Sequence, residues 1–234
     1  MVDGLKTRIK RKLRKAALRW GSFRRLTPIS RFYGYDRGTP LDRVYIERFL
    51  ADNRSSIRGH VLEVKDGSYT QRFGTGVTRG DVLDVDATNA RATIIADLNN
   101  PEALPAAIFD CIVLTQTLQF VFDLRSALAA LSNSLKPGGV LLVTVPGITR
   151  SAIGESDGKF YLGFTLAGVR RLFRDFFPPE DMTVSCYGNV LAATAFLHGL
   201  AAEELTETEL LHADHEFPVI ICVRATRHER GLPG

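Results

Sequence analysis

Between residues 59 and 145, short β-branched runs alternate with helical patterns, and this alternation limits the fold more than any other feature of the chain. Residues 60–64, 82–85, 93–95, 111–114 and 140–145 read as strands. The last is an uninterrupted apolar run, as expected of a strand covered on both faces. Residues 68–73 have room only for a short helix before the next strand. Residues 124–135 form a longer helix, with Asp123 as N-cap and Leu124, Ala127, Leu128, Leu131 and Leu135 on one face. Lys136-Pro137-Gly138-Gly139 stops it. Further on, a helix over 166–177 capped by Thr165 precedes strands at 182–186 and 219–223. Upstream, Thr39 as N-cap, Pro40 at the first helical position and Asp42 at the third start a helix that ends near Asp52-Asn53. Strands separated by helices imply a doubly wound, mostly parallel, seven-stranded Rossmann-like α/β sheet, with a ligand crevice at the strands' carboxyl ends.

Charge divides the chain. Residues 1–31 carry eleven basic side chains against Asp3 alone, a formal +10 in a chain whose total is +4, so residues 32–234 carry −6. Val2, Leu5, Ile9, Leu13, Ala16, Ala17 and Trp20 recur at helical spacing within this segment. The reading is a basic amphipathic arm over 1–31 and one α/β domain over 32–234, with an insert at 187–218 between the last two strands. The arm suits an anionic membrane surface or the domain's own surface, and less well the phosphates of a nucleic acid. With 45% hydrophobic and 24% charged residues the chain is neither disordered nor a disulfide miniprotein. No apolar run approaches the roughly 18 residues of a membrane span. Cys111, Cys186 and Cys222 lie far apart beside apolar runs, without metal-ligand spacing. They read as small buried hydrophobes in a reducing, cytoplasmic setting, with peripheral attachment at the inner membrane face through the arm.

Four segments resemble the class I S-adenosyl-L-methionine (SAM) methyltransferases. Val61-Leu62-Glu63-Val64 is similar to the family's first strand with its terminal acid. Leu83-Asp84-Val85-Asp86 is similar to the second strand with its ribose-binding acid, and Ala96-Asp97-Leu98 to the adenine-side acid. Phe109-Asp110-Cys111-Ile112-Val113-Leu114, followed by Leu135-Lys136-Pro137-Gly138-Gly139-Val140, resembles the fourth and fifth strands, and this is the most specific pair. Arg37-Gly38-Thr39-Pro40-Leu41-Asp42-Arg43 resembles methyltransferases of cell-surface saccharide and glycolipid assembly.

The resemblance implies SAM as cofactor and gives each site residue a role. A carboxylate after the second strand accepts both ribose hydroxyls, with Asp84 first and Asp86 second. Asp97 accepts from the adenine amine, and the 97–98 backbone, including Leu98, bonds ring nitrogens. Glu63 acts near the methionine ammonium, and Thr115 and Gln116 hold the amino-acid portion. Of the glycine-rich first loop only Gly67 is present; Lys65 and Tyr69 occupy the first and third glycine positions. Tyr69 is therefore expected beside the cofactor or in the adjoining gap. The family's acid-rich run after the fourth strand is here Gln116-Thr117-Leu118-Gln119-Phe120, which contains no base.

Gln119 and Tyr161, the latter in a loop over 146–163, are candidates for the acceptor side. His198 is a third candidate, with a core histidine as the alternative. His212, Asp214, His215 and Glu216 read as a solvated turn rather than a metal site. No catalytic residue is assigned. The resulting expectation is O-methylation of a saccharide, glycolipid or other small-molecule hydroxyl. A non-catalytic methyltransferase-like scaffold and a nucleic-acid methyltransferase are the alternatives.

Each basic side chain near an anionic bilayer contributes about 1 kcal/mol, so part of the arm suffices for micromolar binding. Co-sedimentation with anionic vesicles is expected to be salt-sensitive and to disappear on deletion of residues 1–26, with the domain still folded. Equal vesicle binding by the truncated chain would refute this.

Overall fold

A computed structural model describes residues 21–150 and 160–228. The arm pattern over residues 1–20 and residues 151–159 of the loop read over 146–163 therefore lie outside the described residues. Among the described residues, seven strands form one sheet: β1 (Gly59–Val64), β2 (Val77–Asp84), β3 (Ile94–Ile95), β4 (Phe109–Thr115), β5 (Leu135–Pro146), β6 (Met182–Tyr187) and β7 (Ile220–Thr226). Their order is β3-β2-β1-β4-β5-β7-β6. The pairings from β3 to β5 are parallel, and β7 runs against both β5 and β6. The expected doubly wound, mostly parallel sheet is thus the observed one.

Side chains alternate between two cores, as the two-residue period of a strand requires. Along β4, Ile112 and Leu114 join one core while Cys111 and Val113 join the other. The first core receives Ala127, Leu128 and Leu131 of helix α3 (Leu124–Ser134) and Val169 and Phe173 of α4 (Leu166–Phe173). The second receives Tyr45 and Phe49 of α1 (Leu41–Asp52) and Ala192, Ala195 and Phe196 of α5 (Val190–His198). Helix α2 (Ser68–Phe73) has the expected length. The three cysteines are buried and free, and burial pushes the Cys111 thiol up to about 12.

Several boundaries differ from the sequence reading: β5 starts at Leu135 and takes in the Lys136–Gly139 stretch read as a helix stop, and three further differences have a local reason. Strand β2 starts at Val77, five residues early, because polar Thr78, Arg79 and Asp81 sit within its pairing with β1 and hide the apolar signal. Thr39 does not cap α1; its hydroxyl donates to Glu203 at 2.6 Å, and Pro40 occupies the cap position. Helix α4 stops at Phe173, though the ring of Phe177 still stacks on that of Phe173.

The insert fills the second core. Pro146 pairs with Ile220 and Tyr187 pairs with Ile220, so the insert leaves and re-enters the sheet at the carboxyl ends of β5 and β6. The Tyr45 hydroxyl donates to the Leu210 carbonyl at 3.0 Å, tying α1 to α6 (Glu207–Leu211), which starts with the expected Thr206–Glu209 capping box. Residues 21–31 strap over the end of α5. Phe23 packs its ring 5.0 Å from that of His198, and the Ile29 and Ser30 amides donate to the His198 carbonyl. Gly199 ends α5 at φ +70°, where a Cβ would collide with the Ser30 carbonyl.

Asn189 holds the insert together. Its side-chain oxygen accepts from the Leu191 and Ala192 amides, and its amide donates to the carbonyls of Glu209 at 2.7 Å and His212 at 2.8 Å. Asn189→Ala removes a helix cap and leaves two carbonyls unpaired, at an expected cost of about 3 kcal/mol in urea denaturation. A loss below about 0.5 kcal/mol would show the insert to be held by its apolar contacts alone.

Candidate active site

Five loops converge at the carboxyl edge of the parallel strands, and side chains tie them in pairs. Glu63, the penultimate residue of β1, is almost fully buried. Its oxygens accept the Tyr69 amide at 3.0 Å and the Thr70 amide at 2.7 Å, capping the first turn of α2. Burial pushes the Glu63 carboxyl up, against the pull of Thr70 and the two amides. Gly67 enters the helix at φ +71°. Lys65 is left-handed too, at φ +81°, so the loop keeps a glycine-like backbone at the position where the resembling family has glycine. Tyr69 is half-buried. Its ring lies 6.1 Å from that of Phe73 and packs against the second core. It fills space between α2 and α1.

Asp84 and Asp86 end up in different environments. Asp84 is 3% exposed; its oxygens accept the Asp86 amide at 3.1 Å and the Asn89 side-chain amide at 2.8 Å, with Lys65 Nζ at 3.5 Å. Burial pushes the Asp84 carboxyl up, but the Asp86 amide, Asn89 and Lys65 outweigh it and hold the group below the ordinary carboxylate range. Asp86 is exposed. One oxygen accepts from the Thr88 amide and hydroxyl, and the other has no hydrogen bond among the described residues. Asp97 is also exposed: one oxygen accepts from the Asn99 amide and side chain, and the other is free of protein hydrogen bonds among the described residues. Leu98 beside it is buried.

After β4 the chain turns through Gln116, left-handed at φ +47°. Its amide donates to the Thr144 carbonyl at 2.9 Å and its side-chain amide reaches the Thr144 hydroxyl at 3.3 Å. Thr115 ends the strand half-buried, its carbonyl accepting from the Thr117 hydroxyl. Gln119 donates to the Gln116 carbonyl at 2.9 Å, and its own side-chain oxygen is buried without a partner. The Gln119 carbonyl accepts the Tyr161 amide at 2.9 Å, so these two acceptor-side candidates are brought together. Tyr161 meets Phe122 edge-on at 5.7 Å, and both rings are exposed.

His198 lies elsewhere. Its contacts are with Phe23, Ile29 and Ser30, and its Nδ1 is buried without a partner. His215 approaches Cys186 Sγ at 3.2 Å, and Asp214 accepts the Glu216 amide. No group of three or more His, Cys, Asp or Glu among the described residues is arranged to hold a metal.

Sequence reasoning missed Asn89, Asn99 and Thr144. Asn89 bridges the Lys65 carbonyl and Asp84; Asn99 accepts the Phe122 and Asp123 amides; Thr144 anchors Gln116. Only Thr144 left a trace, as the one hydroxyl inside the apolar run over 140–145.

A sequence model described as a methyltransferase domain matches residues 74–143, which span β2 through most of β5. No curated protein matches the chain. Among solved structures, a SAM-dependent methyltransferase from Mesorhizobium loti superposes with TM-score 0.54 at 18% identity, covering 80% of this chain and all of that one. The N-methyltransferase NodS from Bradyrhizobium japonicum, solved with S-adenosyl-L-homocysteine, gives 0.51 at 16% identity over 86% and 94% of the two chains. The [4+2]-cyclase SpnF gives 0.55 at 15% identity over 86% and 88%. The fold is that of the class I methyltransferases. The stretch similar in sequence to the methyltransferase-domain model runs from before the second strand into the fifth.

The Asp84 environment has a pH signature. Its folded pKa lies below the unfolded value of about 3.9, so unfolding takes up a proton as the pH falls through that range. Its contribution to stability is complete at neutral pH and is lost as the pH drops below about 4 towards the folded value. Asp84→Asn is expected to be less stable than the parent at pH 7 and to show a flatter acid limb in urea denaturation. Parallel limbs for the two proteins would exclude Asp84 as a contributor.

Proposed function

We propose that this chain is a SAM-dependent methyltransferase acting on a hydroxyl of a saccharide, glycolipid or other small molecule. The observation that carries the cofactor assignment is the pair of exposed carboxylates, Asp86 and Asp97, at the ends of the adjacent strands β2 and β3. Each uses one oxygen within its own turn and leaves the other open. The two groups suit the two polar ends of a nucleoside, the ribose diol at Asp86 and the exocyclic amine at Asp97, with the Leu98 amide toward a ring nitrogen. This reverses the order of the two acids on β2. Asp84, engaged with Asn89 and the Asp86 amide, positions Asp86. Thr115 and Gln116 line the amino-acid end. Gly67 and Tyr69 shape the loop beside it.

SAM, when bound, supplies an electrophilic methyl group on a sulfonium. The chain's own contribution is alignment. Gln119, with an unpartnered buried oxygen, is placed to accept a hydrogen bond from an O–H or N–H of the acceptor or cofactor. Tyr161 and Phe122 present exposed rings on which the apolar face of a sugar can lie. An amide cannot take the acceptor's proton, so rate comes from holding donor and acceptor in line. The basic arm would bring the domain to an anionic membrane, where glycolipid acceptors reside.

One observation favours a second reading, a methyltransferase-like module without catalysis. Both Glu63 oxygens are engaged by α2 amides, and Lys65 and Tyr69 replace loop glycines. Calorimetry with S-adenosyl-L-homocysteine separates the two. The parent is expected to bind, and Asp86→Ala and Asp97→Ala each to weaken binding at least tenfold, matching about 1.5–3 kcal/mol for a lost bond to a charged acceptor. Binding unaffected by both substitutions would overturn the placement, and absence of binding by the parent would favour the scaffold reading.

A further inference from the structure

A cavity of about 600 Å³ opens at the opposite, amino-terminal edge of the sheet, beneath the starts of β1, β4 and β5 and the end of β7. Its walls include Ser55, Ser56, Arg58, Gly138, Arg224 and Thr226, with Asp110 among the remaining residues. Strands of six to seven residues, some 20 Å long, separate it from the candidate active site.

The walls are rich in donors and poor in acceptors. Arg224 is half-buried on β7, and among the described residues its side chain makes one hydrogen bond, 3.3 Å from Nη1 to the Thr226 hydroxyl. A guanidinium carries five N–H donors, so most of its capacity is unmet. Arg58 is exposed at the rim and, like Arg224, has no carboxylate partner among the described residues. The side chains of Ser55 and Ser56 make no hydrogen bond among the described residues. Asp110 does not neutralise the pair: its Oδ2 already accepts the His60 amide and Lys136 Nζ, both at 2.7 Å. Burial pushes the Asp110 carboxyl up, but Lys136 and the His60 amide outweigh it and keep it ionised and paired. Counting Lys136, the cavity has a net charge of two positive units.

We propose that this cavity binds a phosphate-bearing ligand, its phosphate held between the Arg58 and Arg224 guanidiniums and the two serine hydroxyls. Planar forks matched to phosphate oxygens, with hydroxyls beside them, are the chemistry that recognises this group. The volume exceeds that of inorganic phosphate and fits a small phosphorylated molecule or a lipid headgroup. The ligand does not share the carboxyl-edge crevice, so the assignment stands independently of methyl transfer.

Titration of the ¹⁵N-labelled full chain with pyrophosphate tests it. The amides of Gly138 and Gly139 are expected to shift, and Arg58→Ala and Arg224→Gln each to raise the dissociation constant at least tenfold, with unchanged thermal midpoint for Arg58→Ala. Equal affinity in Arg58→Ala and the parent, or shifts confined to residues 1–31, would mean that the basic arm binds an adventitious ion only, and would overturn the proposal. A water-soluble short-chain phosphatidic acid and glycerol phosphate distinguish the sources, because neither offers the basic arm a bilayer. Gly138 and Gly139 shifts that need at least tenfold less of the lipid than of glycerol phosphate, and that Arg58→Ala removes, assign a headgroup. Equal or tighter binding of glycerol phosphate, also dependent on Arg58, assigns a free phosphorylated molecule.

Discussion

Parallel strands must all end at the same edge, and every one of them must then reverse. That constraint concentrates unpaired backbone amides and carbonyls at the carboxyl edge, where the cores on both faces exclude water. In this chain polar side chains meet the demand one by one. Glu63 takes two amides of α2, Asp84 takes the Asp86 amide, Asn99 takes those of Phe122 and Asp123, and Thr144 takes that of Gln116. The acids therefore separate by burial. Glu63 and Asp84 complete the scaffold from inside. Asp86 and Asp97 stand outside it, each with one oxygen free of hydrogen bonds among the described residues.

Backbone strain follows the same geometry. Lys65 and Gln116, both non-glycine and both left-handed, follow β1 and β4. Those two strands flank the point where the strand order reverses, and in open α/β sheets the ligand crevice lies there. A left-handed residue with a Cβ costs about 1–2 kcal/mol and persists only where its surroundings fix it. Lys65 is fixed by its amide on the Leu83 carbonyl and by its carbonyl under Asn89; Gln116 is fixed by two bonds to Thr144. The anchors come from the neighbouring strands β2 and β5, so strain at the switch point depends on sheet register on either side.

How much of this was legible in the sequence follows the range of each signal. Apolar runs declare the strands, and chain length leaves room for α2 only from Ser68 to Phe73. Asp123, Thr165 and the Thr206–Glu209 box are local capping signals, and all three act as such. Thr39 carries a local capping signal, yet its partner, Glu203, lies 164 residues away and no local pattern marks it. The ranking of Asp84 over Asp86 rested on proximity to the apolar strand. That same proximity buries Asp84 and engages its oxygens. Asn89 and Asn99 act across loops, and nothing in a single sequence marks such a bridge.

The first loop shows how backbone and side chain separate. Lys65, though not glycine, adopts the left-handed conformation, and its amine reaches toward Asp84. Position 69 adds a large side chain to that turn. A tyrosine there carries its backbone amide to Glu63, lays its ring against Phe73 and packs against the second core, to which α1 contributes Tyr45 and Phe49. Helix α1 is itself clasped by the insert through Tyr45 and Leu210, and the loop before it through Arg37 and Glu204. Tyr69 thus couples the first loop to a layer that the insert and the 21–31 strap hold in place. Any ligand at the β1 end of the crevice meets a wall fixed from outside the sheet, built where a glycine would have left open space.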